Sequence, residues 1–123
     1  MPKILIAEDE PLLTGAYTVK FTKLGCEVRN VDNGDDVFNI LKTFQPDIIL
    51  LDLIMPKLSG VEVLQKLKEE NNKIPVIVTS NLSKEEVMKK CLDLGAKDYL
   101  IKSNTSLDEL AKKVLSYIDE LNG

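Results

Sequence analysis

Three short runs of this sequence are apolar at every position: Ile4-Leu5-Ile6-Ala7, Ile48-Ile49-Leu50-Leu51 and Val76-Ile77-Val78. A strand with one wet face alternates apolar and polar residues, so continuous runs of this kind suit strands covered on both sides. Two further runs of strand length, Cys26–Val31 and Tyr99–Ile101, complete a set of five. The first of these includes Glu27, Arg29 and Asn30, which suits the edge of a sheet. Amphipathic segments of helix length separate the runs. In the last of them Leu107, Leu110, Ala111, Val114, Leu115, Ile118 and Leu121 recur at helical spacing. Strands covered on both faces and alternating with helices predict an α/β fold, a doubly wound five-stranded parallel sheet with right-handed crossovers. With the second strand at an edge, the expected order is 2-1-3-4-5.

The helical segments carry their own start and stop signals. Pro11 suits a first helical turn, where its missing N–H costs nothing. Ser59-x-x-Glu62, Ser83-x-x-Glu86 and Ser106-x-x-Glu109 each have the pattern of a capping box. Gly25 and Gly95 stand where a helix would end. Asp32-Asn33-Gly34-Asp35-Asp36 lacks the ligand spacing of a calcium loop and is read as a turn and helix cap. The final helical segment runs almost to Gly123, so one domain over residues 1–123 with no output domain is expected.

Composition narrows the classes of function. Formal net charge is −4, which gives no electrostatic reason to seek nucleic acid or an anionic membrane. No apolar run approaches the ~20 residues that cross a bilayer. Met1-Pro2-Lys3 leads directly into a strand without a signal-peptide pattern, so a cytoplasmic location is expected. Cys26 and Cys91 lie far apart and form no CxxC; two small buried thiols are expected. There is no histidine, which removes imidazole bases and imidazole metal ligands.

In a doubly wound sheet the site lies beyond the carboxyl ends of the central strands. Glu8 and Asp9 follow the first strand, Asp52 the third, Thr79, Ser80 and Asn81 the fourth, and Lys102 the fifth. Thr79 is read as the last residue of its strand, facing the interior. Carboxylates gathered at one rim repel unless neutralised. A hard divalent cation with oxygen ligands does this, and Lys102 adds one further positive charge. A cation beside a carboxylate also makes that carboxylate usable as a nucleophile toward a phosphoryl group.

Glu8-Asp9, the run Asp52-Leu53-Ile54-Met55-Pro56-Lys57-Leu58-Ser59-Gly60, Ser80 and Lys102 resemble, in type and spacing, the receiver domains of bacterial two-component response regulators. The resemblance covers the whole chain and implies a flavodoxin-like (βα)5 receiver fold. It implies a phosphorelay signalling switch, not an enzyme with an external substrate, that catalyses only its own phosphorylation and dephosphorylation. By the resemblance Asp52 is the phosphoacceptor. Asp9, Asp52 and the backbone carbonyl of Ile54 ligate Mg²⁺ or Mn²⁺, with Glu8 reaching the metal through water. Lys102 holds the acceptor carboxylate and then the phosphoryl oxygens. Ser80 is the switch hydroxyl, and Tyr99 the aromatic that turns inward in response. Ile54, Asn81 and Leu82 occupy the positions that tune the lifetime of the phosphoryl group. The implied partners are a histidine kinase or phosphotransfer protein and a downstream protein target. The target would bind the α4-β5-α5 face, that of the fourth helix, fifth strand and fifth helix.

Two positions depart from the family pattern. Ser103 follows Lys102 where proline is usual, and Asn81 is bulkier than the usual neighbour of the switch hydroxyl. Competing functions fit less well. A flavodoxin-like cofactor binder needs a phosphate-cradling loop after the first strand, where Glu8-Asp9-Glu10 would repel phosphate. An aspartyl-phosphate hydrolase needs an acidic general acid beside its nucleophile, where Leu53 and Ile54 stand. A degenerate receiver acting as a phosphorylation-independent binding module would have lost the acidic cluster or the lysine. Tyr99 could also be a plain packing aromatic.

Overall fold

The computed structural model describes residues 1–122. The strands are β1 (Lys3–Ala7), β2 (Glu27–Val31), β3 (Ile48–Asp52), β4 (Val76–Ser80) and β5 (Asp98–Ile101). The helices are α1 (Pro11–Lys23), α2 (Gly34–Ile40), α3 (Gly60–Glu69), α4 (Glu85–Asp93) and α5 (Leu107–Asn122). All strand pairs are parallel, in the order β2-β1-β3-β4-β5. The expected doubly wound sheet and its order are therefore observed.

The continuous apolar runs are the three central strands, β1, β3 and β4. Alternate residues feed two separate cores. Leu5, Ala7, Ile49, Leu51, Val76 and Val78 pack with Val37, Val63, Leu64, Leu67 and Cys91 from α2, α3 and α4. Ile4, Ile6, Ile48, Leu50 and Ile77 pack with Tyr17 and Phe21 of α1 and Leu110, Val114 and Ile118 of α5. Each fully buried aliphatic side chain contributes about 1.5–3 kcal/mol of transfer free energy, which is why no polar residue interrupts these runs before their carboxyl ends. Strand β2 has no fully buried residue and sits at the edge, as its mixed composition predicts. Cys26 and Cys91 are buried and free, and burial pushes both thiols above their ordinary value.

Most of the expected punctuation holds. Pro11 opens α1. Ser59 and Glu62 form a complete capping box, and Ser106 and Glu109 exchange the same pair of hydrogen bonds. Asn33 caps α2 by accepting from the Asp36 N–H. Gly25 and Gly95 end their helices with φ of 87° and 103°. The Ser83 box does not form: α4 begins at Glu85, with Lys84 at the cap position and no capping side chain. The hydrogen bonds that hold residues 80–82, described below, keep this stretch out of the helix. Leu121, grouped in the sequence with the apolar face of the last helix, is 55% exposed. Helix α1 shows a feature its composition hides: Leu12 is 90% exposed, and Gly15, Ala16 and Val19 continue an uncovered apolar face along it.

Candidate functional site

The three central strands stop being apolar at the same end of the sheet. Asp52 is the last residue of β3, in register with Thr79 of β4. Glu8 and Asp9 follow β1 directly. Asp52 and Glu8 are buried, at 5% and 2% exposure, while Asp9 is exposed. One carboxylate oxygen from each of Glu8, Asp9 and Asp52 lies within 4.8 Å of the others. The loop after β3 is held by Gly60, whose N–H donates to the Leu53 carbonyl at 2.8 Å. A Cβ at Gly60 would lie 2.5 Å from the Asp52 carbonyl oxygen and 2.6 Å from Leu53 Cα. That close approach is the physical reason for glycine at the end of the Asp52–Gly60 run.

Lys102 reaches into this cluster from just beyond β5. The sequence places it at the strand end; it begins instead a short 3₁₀ turn, Lys102–Asn104. Its Nζ lies 2.6 Å from Glu8 Oε1, 3.4 Å from Asp52 Oδ2 and 3.8 Å from Glu10 Oε2. Burial works against the Lys102 charge, but the contact with Glu8 and the charge of Asp52 outweigh it and hold the ammonium above its ordinary value. Burial, reinforced by the Asp52 charge, pushes the Glu8 carboxyl up despite the opposing pull of Lys102. The Lys102–Ser103 peptide is trans, as are the other described peptides.

The cluster fits a hard divalent cation. Three carboxylates face one close ammonium, so the site keeps net negative charge. Among the described residues the buried Glu8 Oε1 receives no well-aligned hydrogen bond, with Lys102 Nζ 2.6 Å away. An all-oxygen donor set of this kind matches Mg²⁺ or Mn²⁺.

On the other side of the rim, Ser80 and not Thr79 is the last residue of β4. Both are buried, and Thr79 pairs with Leu100 while Ser80 pairs with Ile101. The Ser80 Oγ accepts from the Leu82 N–H at 3.1 Å. Tyr99, expected to turn inward on activation, is already buried at 7% exposure and donates its hydroxyl to the Leu82 carbonyl at 2.6 Å. The Leu82 backbone therefore joins Ser80 to Tyr99. Asn81 is exposed, and its Oδ1 accepts from the Ser103 N–H at 2.9 Å. Ile54 and Leu82 are 64% and 38% exposed. Sequence reasoning did not foresee the nearness of Glu10 to Lys102, nor the use of the Ser103 N–H. Only the departure from proline at position 103 signalled that such a donor exists.

A family model of the response regulator receiver domain matches residues 4–115. The chain belongs to that family. This receiver domain superposes on the receiver domain of Francisella response regulator 1452 with a TM-score of 0.92 and 30% identity, covering 98% of this chain and 99% of that one. It is 35% identical over 111 residues to the transcriptional regulatory protein CusR of Escherichia coli strain K12, covering 89% of this chain and 48% of CusR. It is 39% identical over 95 residues to a protein-glutamate methylesterase/protein-glutamine glutaminase of Treponema denticola, covering 69% of this chain and 26% of that protein. The receiver domain thus spans half or less of the length of these curated relatives. No described helix is long and apolar enough to cross a membrane.

Proposed function

We propose that this receiver domain accepts a phosphoryl group on Asp52 from a histidine kinase or phosphotransfer protein, and signals the change to a protein target at the face of α4, β5 and α5. The observation that carries this reading is a carboxylate buried at a sheet rim, with an ammonium 3.4 Å away and two further carboxylates beside it. In the transfer, an Asp52 oxygen attacks phosphorus. A P–O bond forms as the P–N bond to the donor histidine breaks, and the imidazole leaves with the electron pair and takes up a proton. Lys102 neutralises the approaching phosphoryl oxygens from a position it already holds. Asp9, Asp52 and the Ile54 carbonyl, with Glu8 beside them, would hold Mg²⁺ or Mn²⁺, which would supply positive charge that screens the two anions.

Ser80 is one residue beyond Thr79, the register partner of Asp52, and can exchange its bond with the Leu82 N–H for one to a phosphoryl oxygen. Loss of that bond frees one end of the peptide linkage that Tyr99 holds at the other, so a local charge becomes a change in the α4, β5 and α5 face. For the donor, the exposed apolar face of α1 is the favoured docking surface. Its first turn adjoins Asp9, and a protein that presents a phosphohistidine in line with Asp52 must rest on the elements around that rim.

The test is intact mass after incubation with acetyl phosphate and Mg²⁺. The wild type is expected to gain the mass of one phosphoryl group, lost again on hydroxylamine treatment. Asp52→Ala is expected to gain none. Equal incorporation in both would refute the assignment.

A further inference from the structure

The two departures from the family pattern touch each other. Proline after the lysine would have no N–H; Ser103 has one, and an ordered backbone donor needs an acceptor. That acceptor is the Oδ1 of Asn81, at 2.9 Å. Its direction fixes the orientation of the amide, since the Nδ2 cannot accept. The contact continues the β4–β5 ladder beyond the strands. Ser80 and Ile101 are register partners at the end of the two strands. Asn81 is the next residue on one side, and Lys102 and Ser103 the next two on the other. Lys102 is thus bracketed: the strand pairing ends immediately before it, and the Asn81 side chain holds the residue immediately after it.

The geometry points to Asn81 as a positioning residue for Lys102, acting through the Ser103 N–H in place of the ring constraint that proline would supply. This rests on the roles proposed above for Asp52 and Lys102. The Lys102 side chain spans from the 3₁₀ turn to Glu8 and Asp52, so a shift in its backbone moves the ammonium relative to both carboxylates. Because Asn81 directly follows Ser80, the same bond ties the position of the ammonium to the loop that carries the switch hydroxyl.

The test measures the initial rate of phosphoryl incorporation from acetyl phosphate with Mg²⁺, by intact mass, for a set of variants. Asn81→Ala is expected to slow incorporation by about fivefold, the factor that one modest hydrogen bond carries. Ser103→Ala, which keeps the N–H, is expected to leave it unchanged. In a Lys102→Ala background, Asn81→Ala is expected to have no further effect, which a merely structural role for Asn81 would not produce. The Ser103 amide proton is expected to shift upfield in Asn81→Ala. A wild-type rate in Asn81→Ala, or a full fivefold loss added on top of Lys102→Ala, would overturn the inference while leaving Asp52 as acceptor. Incorporation into Asp52→Ala would instead overturn the function on which it rests.

Discussion

Lys102 Nζ is closer to Glu8, at 2.6 Å, than to Asp52, at 3.4 Å. Glu8 is the more deeply buried of the two; burial raises its carboxyl, and the short contact with Lys102 opposes that rise. Glu8 in effect holds the lysine ready without closing it onto Asp52. A nucleophile locked in a tight ion pair would have to be released before it could attack.

The acidic cluster predicts a stability response to metal. Millimolar Mg²⁺ is expected to raise the melting temperature. At tenfold above its dissociation constant the gain is about 1.4 kcal/mol, or about 5 °C for a domain of this size. Asp9→Asn is expected to abolish the shift and to raise the melting temperature in EDTA, because one of three crowded charges is gone. A thermal melt with and without Mg²⁺ checks both. No shift in the wild type would show that the cluster is not a metal site.

The exposed face of α1 predicts a separation between small and protein donors. Leu12→Arg is expected to slow phosphotransfer from a protein donor by about fivefold or more, as for an interface residue worth at least ~1 kcal/mol. Incorporation from acetyl phosphate is expected to remain at the wild-type rate, since Leu12 is 90% exposed and supports no buried contact. Parallel rate measurements with the two donors decide it. Equal rates with the protein donor would place docking elsewhere.

Ile54 and Leu82, which by the resemblance stand at the lifetime-tuning positions, are partly exposed and offer no polar side chain to orient water. Slow self-dephosphorylation is expected, and the double variant Ile54→Asn with Leu82→Glu is expected to lose phosphate several-fold faster. Decay of the phosphorylated mass after removal of donor measures this. An unchanged lifetime, with Mg²⁺ binding intact, would mean that these side chains do not govern access.

Tyr117 of α5 donates its hydroxyl to Asp98 of β5 at 2.5 Å, and that bond, aided by burial, pushes the phenol up to about 12. A folded value above the unfolded one means that the bond stabilises fully below pH ~10 and that its contribution is lost as pH rises through ~12. Tyr117→Phe is expected to cost about 1 kcal/mol at neutral pH. The wild-type and variant denaturation midpoints are expected to converge between pH 10 and 12. A constant gap across that window would assign the cost to packing.

What was legible in the sequence had local causes. The continuous runs around Ile4, Ile48 and Val76 announce covered strands, and the capping pairs at Ser59 and Ser106 need only neighbours three residues apart. The Asp52–Gly60 run was legible because its glycine answers a steric demand within the same loop. The capping pattern at Ser83 misled because Leu82 is bonded to Ser80 and Tyr99, and Asn81 to Ser103, the last two partners being far away in sequence. The same long-range bonds explain why the pairing of Asn81 with Ser103 and the bond from Tyr99 to the Leu82 carbonyl could not be foreseen. Distance along the chain, 22 residues for Asn81 and Ser103, hides a contact that sheet register makes close.

The two cysteines are divided between the two cores, Cys26 in the core under α1 and α5, Cys91 on the inner face of α4 in the core shared with α2 and α3. Alkylation proceeds through an accessible thiolate, and each thiol is buried and shifted upward. Modification of either therefore waits for its own layer to open. The chain thus carries a separate clock for each side of its sheet. Comparing the two alkylation rates before and after phosphorylation would time how far the switch loosens the α4 side while the α1 side stays closed.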